Sequence, residues 1–145
     1  MAISMNSLPL KDANVIVEAA LAYAKDQNLS PLCIAVLDPG GHTLSLQRAD
    51  GASMLRPAIA TGKAYAALAL GIDSRQVASM AIERPNLLAG LSGVSGGRIV
   101  PLPGGILISS GGTLLGAVGV TGDTSDNDEA CAIHAVKAAG FKVGP

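Results

Sequence analysis

Lys63 is the only charged residue between Arg56 and Asp73, in a segment otherwise rich in Ala, Gly, Ile and Leu. A lysine so placed has two options. It can lay its stem along apolar neighbours and keep the ammonium in water, or it can be held partly desolvated and act as a base, a Schiff-base former or an anion clamp. Arg48 and Asp50 close a strand-like segment, where an Arg-x-Asp either orients an anionic ligand or pairs at the surface. Asp128 and Glu129 sit in an acidic group with Asp123 and Asp126. Such carboxylates can transfer protons. Their plainer role is capping, because Ser125-x-x-Asp128 matches a capping box and acids in a first helical turn complement the helix dipole. The group is not a calcium loop, since the position six from Asp123 is Asp128 rather than Gly and the twelfth is His134 rather than Glu. Cys131 and His134 are three apart, one turn beyond Asp128, and so share a helix face. No second His or Cys cluster completes tetrahedral zinc, so no metal site is expected. His42 falls at a turn and is expected to be exposed.

The elements that must position these groups follow from periodicity. Apolar residues at Ala13, Ile16, Val17, Ala20, Leu21 and Ala24 repeat one face of a helix over about Pro9 to Gln27. Leu32 to Leu37 is an apolar strand, Asp38-Pro39-Gly40-Gly41 a tight turn, and Thr43 to Gln47 an alternating strand, which makes a hairpin. A helix over about Ser53 to Leu70 carries Lys63 and a narrow stripe of small residues, Ala58, Gly62, Ala66 and Ala69, suited to close packing. A short helix over Ser74 to Ile82 comes next, and Leu91 to Gly97 reads as a loop that could move. Arg98 to Leu102, Gly105 to Ser109 and Thr113 to Thr121 read as three more strands, and Asp126 to Ala139 as the last helix. Hairpins force antiparallel pairing, so the fold class is α+β.

Composition narrows the function. The chain has 145 residues, enough for one domain over 1–145, with 49% apolar and 14% charged residues and a mean hydropathy of +0.44. It holds 24 Ala and 18 Gly but three aromatics, so backbones can approach closely. A net charge of −1 with ten scattered cations supplies no basic patch, which argues against nucleic acid. The uncharged run Ile99 to Gly122 is long enough to span a bilayer, but Pro101, Pro103 and its glycines break it, so no membrane span is expected. Nothing basic precedes Lys11 and the two cysteines lack a Cys-x-x-Cys spacing, which points to thiols and a cytoplasmic location. Gly116-x-x-Gly119-x-x-Gly122 has the wrong spacing for a dinucleotide fingerprint.

Several blocks together resemble one family. Val36-Leu37-Asp38-Pro39-Gly40-Gly41-His42, Arg48-Ala49-Asp50-Gly51-Ala52, Ile59-Ala60-Thr61-Gly62-Lys63-Ala64, Pro103-Gly104-Gly105, Gly116 to Gly122 and Asp128-Glu129-Ala130-Cys131-Ala132 occur in the order of the GlcG/HbpS family. The resemblance runs from about Leu8 to Phe141. It implies a five-stranded antiparallel sheet flanked by helices, profilin-like or PAS-like, and assembly as a homo-oligomer from dimer up to octamer. Members include haem-binding proteins and the C-terminal domain of PduO-type corrinoid adenosyltransferases. The chain departs from the family pattern at Leu107, where Pro is frequent, and at Ala66, where Thr is frequent.

Two functions are then open. The first is a homo-oligomer that binds a small molecule, haem or a related tetrapyrrole, in a pocket of small apolar side chains, with Lys63 or Arg48 meeting propionates and Asp50, His42 or His134 as further contacts. The second is an enzyme or enzyme subunit acting on a small organic acid, with Lys63 as base or electrophile, Arg48 as carboxylate clamp, and Glu129 or Asp128 transferring protons. A subunit that only scaffolds a partner is the blander reading. Convergence of Lys63, Arg48 and Glu129 on one cavity would favour chemistry.

Overall fold

In the computed structural model, which describes residue 1 and residues 6–145, the chain runs α1 (Leu10–Asp26), β1 (Cys33–Leu37), β2 (Thr43–Arg48), α2 (Arg56–Leu70), α3 (Ser74–Glu83), α4 (Pro85–Val94), β3 (Gly105–Ser110), β4 (Thr113–Thr121), α5 (Ser125–Ala138) and β5 (Lys142–Val143). The strands form one antiparallel sheet in the order β2-β1-β4-β3-β5. This is the expected α+β class with five strands. No helix among the described residues is long and apolar enough to cross a membrane.

The pleat sends alternate residues to opposite faces. Ile34, Val36, Ile106, Ile108, Val118 and Val120 point to one side and pack against Ile16, Val17 and Ala20 of α1 and Cys131, Ala135 and Val136 of α5. Leu37, Leu107 and Ala117 point to the other and meet Ala64 and Ala67 of α2. A second layer covers α2, where Val77 of α3 and Leu88 of α4 close on Ala66 and Ile99.

The seat of α2 depends on missing side chains. Gly105 and Gly119 are register partners on β3 and β4. A Cβ at Gly119 would overlap the Ala60 carbonyl, and one at Gly105 the Lys63 carbonyl. The helix backbone therefore lies directly on the strand backbones. On its other side Gly62 takes the same role for Val100, whose side chain occupies the space of a Cβ there and whose amide donates to the Gly62 carbonyl at 3.2 Å. The sheet-facing stripe is Ala60, Ala64 and Ala67; of the small-residue stripe expected from the sequence, Gly62 instead meets Val100 and Ala66 packs with Val77 and Leu88 on the other side of the helix.

Three local expectations need correction. Arg98 to Leu102 is not a strand but an irregular segment laid across α2, and the fifth strand is instead Lys142–Val143, paired with β3 through Ile108 and Ser109. Leu91 to Gly97 is not simply a loop, because Leu91 to Val94 complete α4; Pro85 opens that helix and Leu88 anchors it. The α5 cap is Thr124, whose hydroxyl accepts from the Asn127 amide at 3.2 Å, rather than a box closed by Asp128.

Candidate functional site

On the outer side of α2 a cavity of about 550 Å³ opens between that helix, the edge strand β2 and the Gly97 to Val100 segment. This is within the range of roughly 300–1,000 Å³ usual for small-molecule pockets. Ala58, Thr61, Gly62 and Tyr65 line it because they recur three and four residues apart, on the face of α2 turned from the sheet. Leu46, Leu55, Pro57, Ile59 and Val100 supply apolar walls. Leu46 belongs here because its partner Ala35 faces α2, whereas Ser45, one residue back, bonds Asn14 of α1 across the sheet. Met54 and Leu55 lie beside the opening, 87% and 59% exposed.

Arg98 is the only charged residue in the lining. Its Nε donates to the Ser95 carbonyl at 2.7 Å, just past the end of α4, where a helix terminus favours a cation. Its guanidinium carbon stands 4.5 Å from the centre of the Tyr65 ring, a cation–π contact.

Lys63 takes neither of its two expected options. It faces away from the cavity, its side chain 2% exposed, and its Nζ donates to the Val120 carbonyl and to Asp128 Oδ2, both at 2.9 Å. Burial pulls the Lys63 ammonium below its usual range, and Asp128 opposes that shift. The other Asp128 oxygen accepts from the Asp123 amide at 3.0 Å. Asp128 thus joins the start of α5 to α2 and to the end of β4. Breaking such a pair costs far more than forming it gains.

The remaining expected residues separate. Glu129 is held by Arg75 of α3 through Nε at 2.8 and 2.9 Å, and Arg75 also reaches Asp126. Arg48 is exposed on the α2 face of β2, as the register partner of the buried Cys33. Asp50 lies in the following turn, beside a smaller pit of about 270 Å³ near Ser30 and Pro31. His42 follows Gly41 at the cavity margin, its exposed ring folded toward Gly40. His134 lies on the opposite side of the sheet, its ring 4.7 Å from that of Tyr23 on α1. Cys131 turns inward and donates to the Ala20 carbonyl; burial pushes its thiol up to about 12. Among the described residues, no three His, Cys, Asp or Glu side chains gather as metal ligands.

The structure therefore brings Lys63 and Asp128 together, and keeps Arg48 and Glu129 from both. None of the seven expected residues lines the large cavity. Leu107 and Ala66, the two departures from the family pattern, are buried in the packing around α2 and do not line it either. Arg98 and Tyr65 are the lining groups that sequence reasoning passed over. A signal existed for Arg98, the sole charge between Arg84 and Asp123.

Comparison with known proteins agrees with this architecture. The profile of the family described as "Haem degrading protein HbpS-like" matches residues 8–137. An uncharacterized 15.0 kDa protein from the dhaT-dhaS intergenic region of Citrobacter freundii is 34% identical over 122 residues, which cover 84% of each chain. The crystal structure of Klebsiella pneumoniae protein ORFY superposes with a TM-score of 0.85 at 28% identity, covering 96% of this chain and 94% of that one. The crystal structure of a PduOC:heme complex also gives 0.85, at 23% identity over 96% of this chain and 99% of that one, a likeness of fold.

Proposed function

This chain belongs to the HbpS-like family, and from that premise we propose that it binds haem or a related tetrapyrrole in the cavity beside α2. The observation that carries the reading is the cavity itself: about 550 Å³, apolar walls on both sides, and a single cation at its margin. A flat apolar macrocycle with carboxylate arms has the matching chemistry. Leu46, Leu55, Ile59 and Val100 would meet the ring, and Tyr65 would offer a further aromatic face. Bound there, haem would supply an iron centre for ligand or redox chemistry. Of the residues expected from the sequence, we retain His42, next to lining residue Gly41, as a ligand contact; Arg48, two residues beyond Leu46 on the same face, stays outside the lining.

The protein works as a homo-oligomer in this reading. Low charge and the exposed Met54 and Leu55 beside the opening support it, because subunit contact would cover apolar surface that water otherwise meets. Two separate buried thiols suit a reducing, cytoplasmic setting. The organic-acid enzyme has no comparable support, with Lys63 buried against Asp128 and Glu129 held by Arg75.

Haem titration tests the proposal. The expected result is a saturable Soret shift in the wild type and a large loss of affinity in Ala58→Trp, which fills the cavity from an exposed position. No saturation in the wild type, or undiminished binding by a folded Ala58→Trp, sinks it.

A further inference from the structure

Resting on that reading, we propose that Arg98 is the specificity-determining residue of the cavity, a clamp that selects ligands carrying a carboxylate. Three features of its setting prepare it for that task. The guanidinium is fixed in orientation, with Nε tied to the Ser95 carbonyl and the plane held near the Tyr65 ring. Its charge is unspent: among the described residues no carboxylate pairs with it, whereas Lys63 and Arg75 are both in salt bridges. Its two terminal nitrogens donate to no protein acceptor among the described residues and remain as a planar fork at the cavity margin.

Such a fork matches a carboxylate end-on, through two parallel charge-assisted hydrogen bonds. The rest of the lining is uncharged, so it can hold the apolar body of a ligand but cannot tell an acid from its ester. Discrimination against a neutral isostere then falls to Arg98. Lysine would not replace it well, since an ammonium keeps the charge but loses the fork and the stacking on Tyr65.

The test compares acid and neutral ligand pairs on wild type, Arg98→Ala and Arg98→Lys of the full chain. The first pair is metal-free protoporphyrin IX and its dimethyl ester, followed by fluorescence; the second is 2-naphthoate and 2-naphthamide, followed by equilibrium dialysis. We expect wild type to prefer the acid of a bound pair by about ten- to a hundredfold. The preference should fall to near unity in Arg98→Ala and be intermediate in Arg98→Lys. Porphyrin binding with the same acid preference in wild type and Arg98→Ala overturns the clamp and leaves the tetrapyrrole reading standing. No porphyrin binding, with an Arg98-dependent preference for naphthoate, removes the tetrapyrrole reading and supports the clamp. Failure of both pairs to bind wild type overturns the clamp as well.

Discussion

On the α1 and α5 side of the sheet, Ile34, Val36, Ile106, Ile108, Val118 and Val120 interlock with Ile16 and Val17, and the layers stand apart by the width of branched side chains. On the α2 side the strands offer Gly105 and Gly119, the helix offers Ala60, Ala64 and Ala67, and backbone rests on backbone. The first side is an aliphatic core. The second has a buried lysine at its end, a cavity on its outer flank and an arginine facing that cavity. At Gly105 and Gly119 the contact is too close for any side chain, and beside it Leu37 and Leu107 pack on Ala64 and Ala67, so α2 is further pinned at particular points: Lys63 to Asp128, Arg56 to Thr121 at 3.0 Å, and Gly62 to Val100. Pinning leaves the outward face of α2 free to line a binding site.

If this contrast is right, the largest effect of any single substitution comes from filling the glycine seat. Gly119→Val places a side chain in the Ala60 carbonyl, and neither partner is a rotatable group. The expected cost is above about 4 kcal/mol, the range reserved for overpacking and broken buried networks, so the variant should be largely unfolded by circular dichroism. A folded Gly119→Val within about 1 kcal/mol of wild type in urea would show that α2 is not seated on backbone. Next in size is Lys63→Met, which strands the Asp128 carboxylate in a buried site and should cost about 3–5 kcal/mol. Adding Asp128→Leu should restore part of that loss, because an apolar pair of similar volume needs no compensation. A double variant as unstable as the sum of the singles would mean that the two residues do not act as a pair.

The same contrast explains what was legible in the sequence. Side chains that pack by size and period announce themselves, so α1, the β1–β2 hairpin and the β3–β4 hairpin could be read from apolar spacing and turn residues. The α2 side is built from what lies far apart in the chain. Lys63 and Asp128 each stood out alone, but nothing local says that residues 65 apart share one hydrogen bond. Helix α4 was hidden because Gly90, Ser92 and Gly93 are poor helix formers, and docking of Leu88 beside Val77 supplies what propensity lacks. Arg98 to Leu102 has apolar runs like a strand, yet the open hydrogen-bonding partner it found was the Gly62 carbonyl of a helix. Strand β5 is two residues long and exists only because the β3 edge is there to pair with. For Arg98 the physical clue was the one used for Lys63, an isolated charge in an apolar stretch, and in both cases the isolation marked a position where the charge has work inside the fold or at its cavity.

The smallest expected effect separates the two sides by the sign of their pH dependence. Asp123, at the α5 end, accepts from Asn127 Nδ2 at 2.6 Å and from the Ser30 and Thr124 amides at 2.8 Å, which together hold its carboxyl well below the ordinary value of 3.8. Its contribution to stability is therefore present above 3.8 and is lost as pH falls below it. Asp73, before α3 on the α2 side, is raised above 3.8 chiefly by burial, although the Leu107 amide at 3.0 Å opposes the shift. Its proton is bound more tightly in the folded chain, so its contribution is full below 3.8 and fades as pH rises through the raised value. Asp123→Asn should thus cost about 1 kcal/mol or less at neutral pH, a surface-sized effect, with the gap from wild type closing in acid. The gap for Asp73→Asn should widen in acid instead. Urea midpoints of wild type and both variants from pH 3 to pH 7 measure the two differences directly. Slopes of the same sign would mean that the α2 side does not bury its carboxylate, and that the two faces differ in packing but not in their treatment of charge.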